Sequence, residues 1–291
     1  MRYLTLVLCT LSLFIGYGLA AAAVAEPGDT VAESSVADEF SAVDDKVISQ
    51  QDLDVREVQR KIERGDVRAQ NNLGNMYMKG RGVAKDERKA EEWFQKAADQ
   101  GYANAQIKLG HMYMHGRGVA KNERKAVEWF QKAADQGHSL AWTALGLMYA
   151  SGQGVPKDDR KAAEWFQKAA DQGDAHAQNV LGAMYETGRG VAKDDHKAAA
   201  WYGKAAEQGH ATAQNNLGRM YEKGRGVARN DRTAVLWYRK AAEQRDARAQ
   251  INLGKMYEHG RGVPQDKRKA AEWYRKAVEQ EEGIATPRMR P

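Results

Sequence analysis

Cysteine is almost missing from this chain of 291 residues, whose one thiol is Cys9. That residue lies inside the apolar stretch that opens the sequence, after a Leu-Val-Leu context that does not suit lipid attachment. Past residue 25 there is no thiol, so disulfide frameworks, metal–thiolate sites and cysteine nucleophiles are excluded there. Long apolar runs are scarce too. Beyond the N-terminus none approaches the ~18 residues that a membrane span needs. Serine occurs within residues 66–281 only at Ser139 and Ser151, and neither opens an S-x-x-K sequence. Charge of one sign does not dominate: the net charge is +6 and the pI about 9.2, basic without being extreme.

What the chain has in abundance is repetition. Trp93, Trp129, Trp165, Trp201, Trp237 and Trp273 recur at strict intervals of 36 residues. Leu-Gly followed by Met-Tyr keeps the same step from Leu73 through Leu109, Leu145, Leu181 and Leu217 to Leu253. A fixed period in this range predicts stacked helical units. The expected fold is all-α, an α/α solenoid of six 36-residue helix–loop–helix repeats: 66–101, 102–137, 138–173, 174–209, 210–245 and 246–281.

Within each repeat the apolar spacing predicts two helices. Ala69, Leu73, Met76 and Tyr77 form one stripe on the first, with Gly74 beside it. A mid-helix glycine costs about 1 kcal/mol against alanine, so its return in every repeat predicts a close approach by a neighbouring helix. Gly80-Arg81-Gly82-Val83 supplies the left-handed loop, and Pro156 and Pro264 stand just after it in two repeats. Asp86, Asn122, Asp158, Asp194, Asn230 and Asp266 are expected to cap the second helix. There Ala90, Trp93, Phe94, Ala97 and Ala98 share one face, and the tryptophans are read as core. Lys96, Lys132 and Lys168 close the second helices, where positive charge suits the helix dipole.

The flanks differ. Arg2, the apolar run Leu4 to Leu19 and the small residues Ala23-Val24-Ala25 have the pattern of a cleaved secretory signal. Residues 1–25 are therefore expected to be a signal peptide, cleaved near Ala25, and the protein to be periplasmic or secreted. Residues 26–54 are acidic and poor in large apolar side chains, which predicts a disordered linker. Between Glu26 and Arg60 there are ten acids and three bases, which with Arg2 set aside leaves 41 bases against 29 acids in the rest. Such a tether could fold back on the basic body, although a solvated spacer is the simpler reading. Residues 55–65 are read as an N-terminal capping helix, and 282–291 as a C-terminal tail.

These residues resemble the Sel1-like repeat family, relatives of the tetratricopeptide repeats with longer, glycine-bearing loops. The likeness rests on Ala-x-x-x-Leu-Gly-x-Met-Tyr, on the Gly-Arg-Gly-Val loop with its following Asp or Asn, and on Ala-x-x-Trp-Phe/Tyr-x-Lys-Ala-Ala. It implies a right-handed α/α superhelix that binds other proteins. Many exported bacterial members serve envelope signalling, polysaccharide secretion or host contact. Cysteine-rich members, some described as β-lactamase-like, differ from this chain in their thiols.

Repeats agree where the fold needs them to and vary where it does not. The third, seventh, tenth and fourteenth positions of each repeat vary and share one face of the first helix. On it lie Asn72, Asn75, Lys108 and His111, then Leu140, Ala144 and Leu147, then Val180 and Ala183, then Asn216, Arg219, Asn252 and Lys255. Trp142 stands where other repeats have Gln. An apolar centre between basic and amide-bearing arms suits a protein or peptide held in a groove; the bland alternative is that Leu140, Trp142 and Leu147 improve packing between repeats. The alternative partner is an anionic envelope polymer held by the basic surface; a hydrolase is a distant third, because no nucleophile is evident. His111 and His115 have metal-pinching spacing, yet no third ligand lies at helical spacing. No metal, cofactor or nucleic acid is therefore expected.

Overall fold

The computed structural model describes residues 55–285, and among these it contains thirteen helices and no strand. The readings of 1–25 as a signal and 26–54 as a linker, like most of the C-terminal tail, lie outside the described residues. α1 spans Val55–Glu63. The first helices of the six repeats are α2 (Val67–Lys79), α4 (Ala103–His115), α6 (Ser139–Ser151), α8 (Ala175–Thr187), α10 (Ala211–Lys223) and α12 (Ala247–His259). Their second helices are α3 (Glu87–Asp99), α5 (Glu123–Asp135), α7 (Asp159–Asp171), α9 (Asp195–Glu207), α11 (Asp231–Glu243) and α13 (Lys267–Ala285). They form two compact units that divide between Trp165 and Phe166, inside α7. No described helix is long and apolar enough to cross a membrane.

Each repeat is closed by its own short polar groups. The first helix ends on a left-handed glycine (Gly80, Gly116, Gly152, Gly188, Gly224, Gly260) whose N–H returns to the Met carbonyl four residues back. The Asp or Asn ahead of the second helix accepts that helix's free N–H groups, as Asp86 Oδ1 does from Arg88 and Lys89 at 3.1 and 3.0 Å. Its own N–H donates to the Tyr carbonyl of the first helix, at 2.9 Å from Asp86 to Tyr77 and in all six repeats. One residue therefore caps the second helix and ties it to the first.

The mid-helix glycines are explained by what lies over them. A Cβ on Gly110 would stand 2.6 Å from a ring carbon of Phe130, and one on Gly218 would stand 2.7 Å from Tyr238. At Gly74, Gly110, Gly182, Gly218 and Gly254 the close approach is made by the aromatic that follows the tryptophan, within the same repeat. In the first five repeats the tryptophans, read from the sequence as core, are less buried than the aromatics that follow them. Phe94, Phe130, Tyr202 and Tyr238 are fully buried. The tryptophans are half-buried, Trp129 more deeply than the rest, and a lysine three residues on lies over the ring. Its Nζ is 4.0 Å from the ring centroid at Lys96–Trp93, 3.8 Å at Lys132–Trp129 and 3.9 Å at Lys204–Trp201. These lysines thus act as cation–π lids as well as suiting the helix end.

α1 packs against α2 as the second helix of a preceding repeat would. Val58 joins Ala69, Leu73 and Met76 in one buried cluster, with Val55 and Ile62 at its margin. The turn after each second helix uses a left-handed glycine at Gly65, Gly101, Gly137, Gly173 and Gly209; at the fifth repeat Arg245 takes that conformation with φ 69°.

Candidate interaction surface

Within each unit the first helices of successive repeats lie side by side and bond to one another. In the N-terminal unit His138 Nε2 meets Asn104 Oδ1 at 2.9 Å. In the C-terminal unit Asn216 donates to Asn179 Oδ1 at 3.2 Å and Asn252 to Asn215 Oδ1 at 2.9 Å. A glutamine ladder runs beside them: Gln100 donates to Gln70, Gln136 to Gln106, Gln208 to Gln178 and Gln244 to Gln214, each at 2.8 Å. Three of the accepting glutamines donate in turn to an alanine carbonyl eight residues earlier, at 3.0 Å for Gln178 to Ala170.

The variable face is unevenly accessible. Asn75, Ala144 and Val180 are buried and are not available to a partner. Asn72, Lys108, His111, Leu140, Leu147, Ala183, Asn216 and Asn252 are half-buried, and Lys255 is exposed. Arg219 is half-buried and committed in part, since its Nη2 donates to Glu186 Oε2 at 2.8 Å. Trp142 has a structural post: its Nε1–H donates to the Ala134 carbonyl at 2.9 Å, the bond that glutamine makes in other repeats. Trp142 and Leu140 both pack on the buried cluster that contains Ile107, Phe130 and Leu145. The packing reading accounts for these two side chains, and of Leu140, Trp142 and Leu147 only Leu147 is left to the face.

Burial lowers the pKa of His111, His115, His138, His176 and His210 and favours their neutral form. Burial, with His115, Lys108 and Arg117 nearby, lowers the pKa of His111 to about 3. Its ring stacks on His115 at 5.9 Å and meets Phe130 edge-on at 5.3 Å. No group of three or more His, Cys, Asp or Glu side chains suited to a metal occurs among the described residues. In the C-terminal unit His176 and His210 face one another at 6.0 Å, and burial together with His176 lowers His210 to about 4.

One polar network was not anticipated from the sequence. Glu186, buried, accepts from Tyr202 Oη at 2.9 Å, from Arg219 and, at 2.9 Å, from Arg225. Arg225 also forks onto Asp195, at 3.2 and 2.9 Å, and holds that carboxyl below its ordinary range. Arg261 repeats the clamp on Glu222 and Asp231, and Tyr238 donates to Glu222 at 2.5 Å. Burial and the adjoining carboxylates push the phenols up, Tyr274 to about 12. The signal was available: repeats one to three pair Phe with Met78, Met114 or Ala150, and repeats four to six pair Tyr with Glu186, Glu222 or Glu258. The two positions, sixteen residues apart, change together.

The sequence model of the Sel1 repeat matches residues 67–102, 103–138, 141–174, 175–210, 211–246 and 247–281. The chain belongs to the Sel1-repeat family. Among solved structures this Sel1-repeat protein is similar to a protective antigen of uropathogenic Escherichia coli with the same fold, at 41% identity and a TM-score of 0.77. That match covers 80% of this chain and 50% of the antigen, so the chain spans half the antigen's length. It is also similar to a Sel1 repeat protein from Oxalobacter formigenes, at 36% identity and a TM-score of 0.69, covering 78% of this chain and 99% of the other. No functionally curated protein matches the sequence.

Proposed function

We propose that this Sel1-repeat protein is an exported scaffold that holds a partner protein or peptide on the first-helix face of its repeats and does no chemistry of its own. Sel1 repeats typically serve as protein–protein interaction scaffolds, which is the general ground for the reading. The observation that carries it is the row of half-buried side chains on adjoining first helices, varied from repeat to repeat while the Leu-Gly and Met-Tyr positions beside them are fixed. Amides suit it because they can bond to extended backbone without reading its sequence. Asn216 and Asn252 are already oriented by neighbouring asparagines, so little side-chain entropy remains to be lost on binding.

Two observations bear on the rivals. The lysines that close the second helices, which an anionic polymer would need, are laid over Trp rings within the repeats. For a hydrolase, the Ser151 hydroxyl is already bonded to the Leu147 carbonyl at 2.8 Å, which leaves it poorly placed as a nucleophile. Export rests on the N-terminal sequence pattern alone. Mass spectrometry of the protein from an envelope fraction is expected to find a chain that begins at Glu26; an intact N-terminus in the cytoplasm would overturn export.

The binding test uses one variant per unit, each confirmed helical: Leu147→Asp in the first, and Asn252→Asp with Lys255→Glu in the second. A partner captured by the parent chain is expected to be lost, by tenfold or more in affinity, with at least one of them. Undiminished capture by both would sink the face as the site.

A further inference from the structure

The helix–loop–helix geometry gathers charge on one edge of the N-terminal unit. Each loop lies against the start of the second helix of the repeat before it. A Cβ on Gly118 or Gly154 would collide with the backbone of Glu87–Arg88 or Glu123–Arg124. At Gly82 the place of that earlier helix is taken by α1, and a Cβ there would stand 3.0 Å from Val55 Cγ2. The loops and the N-termini of α1, α3, α5 and α7 therefore line a single edge. Residues 79–89, 115–125 and 151–161 bring twelve basic and five acidic residues to it. On the opposite, glycine-turn edge, residues 60–68, 96–104 and 132–140 bring six basic and four acidic. The pairs Arg88–Lys89, Arg124–Lys125 and Arg160–Lys161 recur along the basic edge one repeat apart, and all six are exposed.

The chain preceding α1 is the complement of this edge. Residues 26–54 hold nine acids and one base, and they join the fold at Val55, which sits on the edge itself. Their acids come in pairs: Asp52 with Asp54, Asp44 with Asp45, Asp38 with Glu39. Successive pairs lie six to eight residues apart, roughly 20–27 Å in extended chain at about 3.3 Å per residue. First helices of successive repeats stand side by side, at about the 10 Å of packed helices, so the chain between acid pairs is long enough to pass from one Arg-Lys pair to the next.

We propose that residues 26–54 lie along the loop edge of their own N-terminal unit, with successive acid pairs on successive Arg-Lys pairs. The occupant is this segment because it is tethered at the edge, carries the opposite charge and reaches all three repeats. Tethering raises its local concentration far above that of any free acidic competitor. The segment then competes with any other polyanion for this edge. None of this depends on the first-helix face being a binding site.

The first test is zero-length carbodiimide cross-linking of the full chain, as an equal mixture of light and nitrogen-15 forms. The expected links join carboxylates of residues 38–54 to Lys85, Lys121 or Lys157 within one chain. They should fall at least fivefold at about 1 M salt, where charges are screened within about 3 Å. Links chiefly to Lys96 and Lys132, links chiefly between light and heavy chains, or no links at low salt would each overturn the proposal. The second test leaves the repeats untouched. Asp38→Asn, Glu39→Gln, Asp44→Asn and Asp45→Asn together should bind a fluorescent poly-glutamate peptide about tenfold more tightly than the parent, and equal affinity would also overturn it.

Discussion

Glu186 holds three donors at once, two of them guanidinium groups, and a buried carboxylate in that position cannot be removed alone. Glu186→Met would leave the Tyr202 hydroxyl and Arg219 without it, at a cost of about 3 kcal/mol. Tyr202→Phe alone is expected to cost about 1–2 kcal/mol. The double variant copies the Phe–Met pairing of the first two repeats and should cost clearly less than the sum, with a coupling of 1 kcal/mol or more. Urea unfolding of the four proteins checks this, and additive costs would refute it. The linked Phe-to-Tyr and Met-to-Glu changes made this network legible in the sequence. The arginine's part was not, because Gly-Arg-Gly-Val reads as a loop motif and only the folded chain brings Arg225 over the preceding repeat. Trp142 is the converse case. Its departure from glutamine was plain in the sequence, but that its indole makes the bond glutamine makes elsewhere is a matter of tertiary geometry.

Within a helix, glycine changes meaning with what covers it. Gly182→Ala should gain helix propensity, yet its new Cβ would lie 2.8 Å from Tyr202 Cδ1. A net loss of about 1–3 kcal/mol is expected. Gly203→Ala in α9 meets nothing within 4 Å and should stabilise by about 0.5–1 kcal/mol. Arg245 holds a left-handed backbone where other repeats use glycine, so Arg245→Gly is expected to stabilise by about 1 kcal/mol despite the added chain freedom. Thermal and chemical melts of the three single variants distinguish these signs. Helix limits, caps and loop glycines were all readable, because each depends on a few neighbouring residues. Which aromatic of the Trp-Phe pair is buried was not, because both fall on the same helical face and only the packed neighbour, Gly74 or its counterpart, separates them.

Over the whole molecule the histidines make acid the weak side. His111 and His210 are lowered to about 3 and about 4, and burial also lowers His138 and His176. The unfolded chain protonates these groups as pH falls through about 6.5, while the folded chain does not. Stability is therefore complete above pH 6.5 and lost progressively below it, down to about pH 4 for His210 and about pH 3 for His111. His210 alone is expected to contribute up to about 3 kcal/mol of this loss. Melting followed by circular dichroism from pH 7 to pH 4 should show a falling Tm, with a shallower fall in His210→Gln; a flat profile would contradict the assignment. Glu91 and Asp246, both raised by burial, act in the opposite sense and soften the decline.

The sequence by itself determined the period, the two helices per repeat, the caps, the loops and membership of a repeat family. Each is either local or repeated six times, so the pattern stands clear of any single residue's noise. Tertiary structure alone decided which variable side chains reach the surface. The same repeat position is half-buried in one repeat and buried in another, as at Asn72 and Ala144 or at Leu147 and Asn75, so exposure follows from the packed neighbours and not from place in the repeat. It also brought the loops, the helix starts and Val55 to one edge, a juxtaposition set by how repeats stack and not by any spacing along the chain.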